Sequence, residues 1–126
     1  MPTRRKSRAS ETTLSKAIQE SLTLKGIKVI RIQAGILPVL KGGKTAYVHC
    51  APNGTPDLLA ITPMLSRSRL RAAELTFLEV KTPTGALTKE QAAWHQWARV
   101  NGVRVAVVRS VGEAVEAVFR FGEVKA

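Results

Sequence analysis

Three charged residues stand out against the apolar stretches that carry them. Asp57 opens the run DLLAI (57–61), directly after Pro56. Glu79 and Lys81 interrupt the strand-like segment that starts at Phe77, just before the break at Pro83. Side chains alternate along a strand, so Glu79 and Lys81 leave the same face. Two carboxylates with open oxygen positions suit a hard divalent cation, Mg²⁺ above all. Such an ion lowers the pKa of water and offsets charge on a scissile phosphate, and an ammonium beside it steadies the attacking hydroxide. Pro-Asp, a gap, then Glu-x-Lys is therefore a donor set for phosphodiester hydrolysis, provided the two segments pair and bring the three groups to one sheet end. A plainer account exists for each. Glu79 and Lys81 can be a solvent-facing pair at a sheet edge, and Asp57 can close an Asx turn after Pro56. Asp57 is the only aspartate in the chain, which favours the metal.

The elements that must position these groups follow from patterning. Ser10 can cap a helix whose apolar positions Leu14, Ile18 and Leu22 recur at four-residue spacing, with Gly26 as its stop. IKVIRI (27–32) alternates like a strand. Residues 33–45, rich in glycine and proline punctuation, read as a loop, with a short strand at 46–50 and a turn at 52–56. Strands are expected at 57–61, 74–81 and 103–108. Thr88-Lys89-Glu90-Gln91 fits a capping box that opens a helix to about Asn101, with Gly102 after it, and Ser110 to Glu113 reads as a second capping box starting a last helix to about Phe119. The fold class is α/β: a central mixed β-sheet of four or five strands with helices on both faces. Residues 1–9 read as a basic flexible tail and 10–126 as a single domain, with no internal repeat.

The bulk numbers narrow the partners. A chain of 126 residues suits one core, and its formal charge of +11 favours polyanions, nucleic acid before an acidic membrane. Aromatic residues make up 5%, too few for a module that stacks single-stranded bases. Cys50 is the lone cysteine, so neither an internal disulfide nor a cysteine zinc cluster can form, and a reducing, cytoplasmic setting fits. No apolar run approaches the ~20 residues of a membrane span, and the basic N-terminus lacks the apolar segment of a secretory signal.

GTPDLLAI (54–61), FLEVKTPTGALTKEQAAW (77–94) and NGVRVAVVRS (101–110) resemble, in order and spacing, the PD-(D/E)XK nuclease superfamily and within it the small stand-alone form of the VRR-NUC family (virus-type replication-repair nucleases). A lone Glu-x-Lys is weak; the three segments together are far more specific. The resemblance runs from about Glu11 to Val118. It implies a PD-(D/E)XK nuclease-like fold and Mg²⁺- or Mn²⁺-dependent cleavage of DNA, including branched DNA. It also implies pairing as a homodimer that resolves four-way junctions, in a bacterial or phage-infected cell. Carried over by position, Asp57 and Glu79 match the metal-binding acids, Lys81 the catalytic lysine, Glu11 the first-helix glutamate and Gln91 the helix glutamine, with the Val80 carbonyl as a further ligand. The chain departs from the family at Gln33-Ala34-Gly35, where Asn-x-Gly is common.

Other residues carry competing readings. Glu11 complements a helix dipole as well as it serves a metal, and Glu20 is the fallback. Gln91 is the N3 residue of its capping box, so cap and site compete for one amide. Trp94 and Trp97 suit core or dimer contact. His49 and His95 lack a zinc-ligand pattern and read as structural or surface, with His49 as general base a minority reading. Cys50 reads as a small buried hydrophobe. For DNA binding the candidates are Arg4, Arg5, Lys6 and Arg8 in the tail, Lys41 and Lys44, and Arg67, Arg69 and Arg71 between the two acid-bearing strands. The rival functions are a basic DNA-binding module that keeps the fold without turnover, and a restriction-type nuclease with sequence preference.

Overall fold

Leu14, Ile18 and Leu22 do form one stripe of a helix, and that stripe is what the sheet packs against. The computed structural model describes residues 2–63 and 73–119, with side chains from Ser10 onward. The elements run α1 (Pro2–Leu24), β1 (Lys28–Arg31), β2 (Ile36–Lys41), β3 (Lys44–His49), β4 (Leu58–Thr62), β5 (Glu74–Val80), α2 (Lys89–Val100), β6 (Arg104–Val108) and α3 (Val111–Phe119). A four-stranded sheet has the order β1-β4-β5-β6. β1 and β5 flank β4 antiparallel, and β6 joins β5 in parallel through the crossover helix α2. The sheet is mixed, and the strands expected at 27–32, 57–61, 74–81 and 103–108 are its four members.

The two sheet faces bury different things. Leu58, Ala60, Leu78 and Val80 join Ile18, Leu22, Ala114 and Val118 in one cluster, so the even-numbered side chains of β4 and β5 face α1 and α3. Each fully buried Leu or Ile there contributes roughly 2 kcal/mol relative to exposure. The odd-numbered face meets α2: the rings of Phe77 and Trp94 lie 4.9 Å apart, edge to face. Trp94 is thus a packing residue, whereas Trp97 is 56% exposed.

Three expectations need correction. First, residues 33–45 are not a loop. Ile36–Lys41 and Lys44–His49 pair as a separate two-stranded antiparallel sheet. Gly42 and Gly43, at φ 59° and 77°, supply the two consecutive left-handed residues of a tight hairpin turn. Pro38 and the glycines hid the strands, but an isolated hairpin is all edge and tolerates a proline. Second, α1 begins at Pro2 rather than at Ser10, so the segment read as a tail is helical in its backbone. Pro2 suits the first helical position, and no glycine follows to break the helix before Gly26. Third, Ser110 accepts from the Glu113 N–H (3.1 Å), but the Glu113 carboxylate takes the N–H of Arg109 (3.3 Å), one residue before the cap, so the second box closes on one arm only. Arg67, Arg69 and Arg71 lie outside the described residues, as do the side chains of Arg4, Arg5, Lys6 and Arg8.

Candidate active site

β4 starts too late to offer a backbone acceptor to the last residue of β5. The Val80 N–H instead donates to Asp57 Oδ2 at 2.9 Å. The backbone of Asp57 is held from the other side, its carbonyl accepting from Ile32 N–H at 2.7 Å. The single aspartate therefore closes the ladder between β4 and β5, which fixes its carboxylate at the sheet end. Extending the register that pairs Leu58 with Leu78 puts Asp57 opposite Glu79. The Asp57 carboxyl group is close enough to Glu79 to raise its pKa. Lys81, just beyond β5 on the face of Glu79, is also buried, and its N–H is held by the Val108 carbonyl at 3.1 Å. Asp57, Glu79 and Lys81 do converge.

The electrostatics are those of a largely buried acid pair that the Lys81 ammonium only partly offsets. The Glu79 side chain is 1% exposed. Burial first, then the Asp57 carboxyl group beside it, push its pKa up to about 9, with the Lys81 ammonium pulling the other way and Glu11 adding a smaller push. Glu79 Oε1 is buried with no hydrogen-bond partner. Two acid groups packed together under burial are what a cation would neutralise, and an all-oxygen donor set selects a hard one. N–H and C=O of one strand residue point the same way, so the Val80 carbonyl leaves β5 on the side of Asp57 and is available to such an ion. Among the described residues no group of three or more His, Cys, Asp and Glu is gathered to hold a metal. A cation here would take two carboxylates, the Val80 carbonyl and water.

A cleft of about 310 Å³ opens beside this pair, lined by Glu11, Lys16, Arg31, Gln33, Asp57 and Val80 among others. Glu11 is thus in reach of the site, while Glu20 is exposed and does not line the cleft. Gln33 takes a place on the wall, its side chain donating to the Ala34 carbonyl at 3.3 Å. Lys16 and Arg31 were not singled out from the sequence. Ser15 and Gln19 lie one and two turns along α1 from Glu11, and Gln19 donates to Ser15 Oγ at 3.1 Å. The four-residue spacing of these polar positions was the readable signal.

Gln91 resolves toward the cap. Its Oε1 accepts from the Thr88 N–H at 2.9 Å and its N–H donates to Thr88 Oγ1 at 3.1 Å, both arms of the box. Only its NH₂ end is left for other partners. Lys41 and Lys44 face each other at the exposed hairpin tip, and neither lines the cleft. His49 is exposed, and Cys50 is half-buried rather than buried.

Three residues that the sequence did not assign to the site shape it. Arg109 Nη1 donates to the carbonyls of Thr82 and Gly85, both at 2.6 Å, and so clamps the loop that leaves Lys81. His95, on α2, is buried with its Nε2 3.9 Å from Glu79 Oε1. Burial, then Arg99 and Lys81, hold its pKa below the usual histidine range, so the ring is neutral. Gly54, at φ 90°, seats the turn before Asp57 against the start of α2. A Cβ there would lie 2.6 Å from the Glu90 carbonyl carbon and 3.0 Å from the Gln91 nitrogen, both backbone atoms that cannot turn aside. Gly54→Ala is expected to destabilise the protein by about 3 kcal/mol, roughly 1 from the left-handed backbone and the rest from overpacking. Urea denaturation measures it; an unchanged midpoint would mean that the turn moves freely.

A family model described as the VRR-NUC domain matches residues 40–112. A solved structure titled "VRR_NUC domain" superposes with a TM-score of 0.58 at 22% sequence identity, covering 89% of this chain and 97% of the other. At that identity the likeness is one of fold. No curated protein matches the chain.

Proposed function

The chain belongs to the VRR-NUC domain family, nucleases of the PD-(D/E)XK type, and from that premise we propose that it is a metal-dependent DNA endonuclease selective for branched structures such as four-way junctions. The observation that carries the reading is the largely buried Asp57–Glu79 acid pair beside Lys81. Asp57, Glu79 and the Val80 carbonyl would hold Mg²⁺ or Mn²⁺, with Glu11 reaching it through water. When bound, the ion would supply Lewis-acid stabilisation of the phosphate charge and acidify water.

The chain's own residues do the rest. Asp57 is held by the Val80 N–H through one oxygen, which leaves the second for the ion. Lys81 orients the attacking water and stabilises its developing negative charge. Lys16 and Arg31 grip the flanking phosphates from the cleft walls, and Lys41, Lys44 and the basic N-terminal and 67–71 residues extend that contact. Contacts of this kind read backbone shape rather than base edges, which supports structural over sequence selectivity. A two-fold homodimer would set two sites on opposite strands of a junction. The exposed Ile36, Leu40 and Tyr47 side chains of the hairpin support such an assembly, and sedimentation equilibrium reads it.

The test is cleavage of labelled four-way junctions and linear duplex with Mg²⁺, with Mn²⁺ and with EDTA. We expect symmetric cuts near the branch point, only with metal. Tight binding without cleavage under either metal would favour the non-catalytic module; cuts at fixed sequences in linear duplex would favour a restriction-type enzyme.

A further inference from the structure

Among the described residues His95 is the largest fully buried polar side chain, and no hydrogen bond accounts for it. Its Nδ1 and Nε2 are both buried without a hydrogen-bond partner, and so is Glu79 Oε1, the atom it faces. The two side chains are 2% and 1% exposed and come from different elements, α2 and β5. A stranded buried donor or acceptor costs about 1–3 kcal/mol, so an apolar residue would fill this position more cheaply if packing were its whole task. The position is also held firmly: the neighbouring Trp94 packs its ring on Phe77, which shares a sheet face with Glu79. At 3.9 Å the two orphan atoms lie about one ångström beyond a hydrogen bond, within the reach of a small side-chain rotation.

We propose that His95 is a positioning residue: its Nε2–H donates to Glu79 Oε1 and so turns the other carboxylate oxygen toward Asp57, where the cation binds. This rests on the reading of Asp57 and Glu79 as cation ligands. His95 touches neither DNA nor ion. It answers the acid from the side opposite the ion, as outer partners of metal-binding carboxylates do, and such partners change metal affinity by roughly 10–100-fold.

The experiment titrates Mn²⁺ alone into the full chain, followed by calorimetry and by the electron paramagnetic resonance of free Mn²⁺, for wild type, E79Q, H95L and H95Q. Thermal melting checks that each variant is folded, and H95M replaces H95L if the latter does not fold. We expect E79Q and H95L each to lose at least tenfold in affinity, and H95Q, which keeps an N–H donor, to stay within about threefold of wild type. Equal loss in H95Q and H95L would show that ring packing matters and not the donor, and would overturn the proposal. So would wild-type affinity in H95L while E79Q is weak, a result that leaves the cation site standing. If E79Q binds as wild type does, the cation site itself is wrong and the proposal falls with it.

Discussion

Lys81→Ala is expected to slow DNA cleavage by about 10²–10³-fold, the usual loss when one charge-stabilising donor is removed from a hydrolytic site, while DNA affinity stays within about threefold. The reason for the split is placement. Lys81 is buried near Glu79 at the sheet end, whereas Lys41 and Lys44 are exposed, so under the proposed mechanism it would act on the reacting centre and add little to gripping the backbone. Lys81→Met keeps the stem volume and should lose as much rate as the alanine variant, which separates charge from packing. Lys81→Arg should not restore it, because a planar guanidinium cannot replace a compact ammonium in a confined site. Asp57→Asn should lose a comparable factor for a different reason: it removes the charge of a proposed ligand and weakens the acceptor of the Val80 N–H. Single-turnover cleavage of a labelled junction gives the rate, and mobility shift in Ca²⁺ gives the affinity. Wild-type cleavage by Lys81→Ala would remove this lysine from the mechanism.

The second large effect is a pH dependence of metal binding. With the Glu79 pKa raised to about 9, chiefly by burial, the Asp57–Glu79 pair holds one proton at neutral pH in the metal-free protein. A divalent ion must displace that proton, so apparent affinity is expected to rise about tenfold per pH unit between pH 6 and 8 and to level off near 9. One proton should be released per ion at pH 7, which titration calorimetry in buffers of different ionisation enthalpy counts directly. The metal-free protein shows the converse. The folded pKa lies above the unfolded one, so the stability contributed by protonated Glu79 is complete below about 4.5 and is lost as pH rises toward 9. Glu79→Gln should flatten that slope and abolish the pH dependence of ion binding. A metal affinity that is constant from pH 6 to 8 in the wild type would show that the pair is ionised without metal.

Much of this site was legible because its residues violate local pattern. A carboxylate and an ammonium in an otherwise buried strand, and a single aspartate after Pro56, are conspicuous without coordinates. The four sheet strands and the Thr88 capping box were equally readable, since hydrophobic alternation and cap chemistry are local signals. The hairpin was not, because Pro38 and the paired glycines of its turn mimic a loop until the pairing is seen.

The sequence by itself determined the fold class, the sheet strands and the three chemical groups, because each is encoded within a few consecutive residues. Only the tertiary structure decided how those groups are used. It placed Asp57 across from Glu79 and handed its oxygen to the Val80 N–H. It committed the Gln91 oxygen to a cap, chose Glu11 over Glu20 for the cleft, and set His95 against a buried acid. Those outcomes depend on which element packs on which face and on how much water is excluded there. Both are properties of contacts between segments distant in the chain, and neither is written in any one segment.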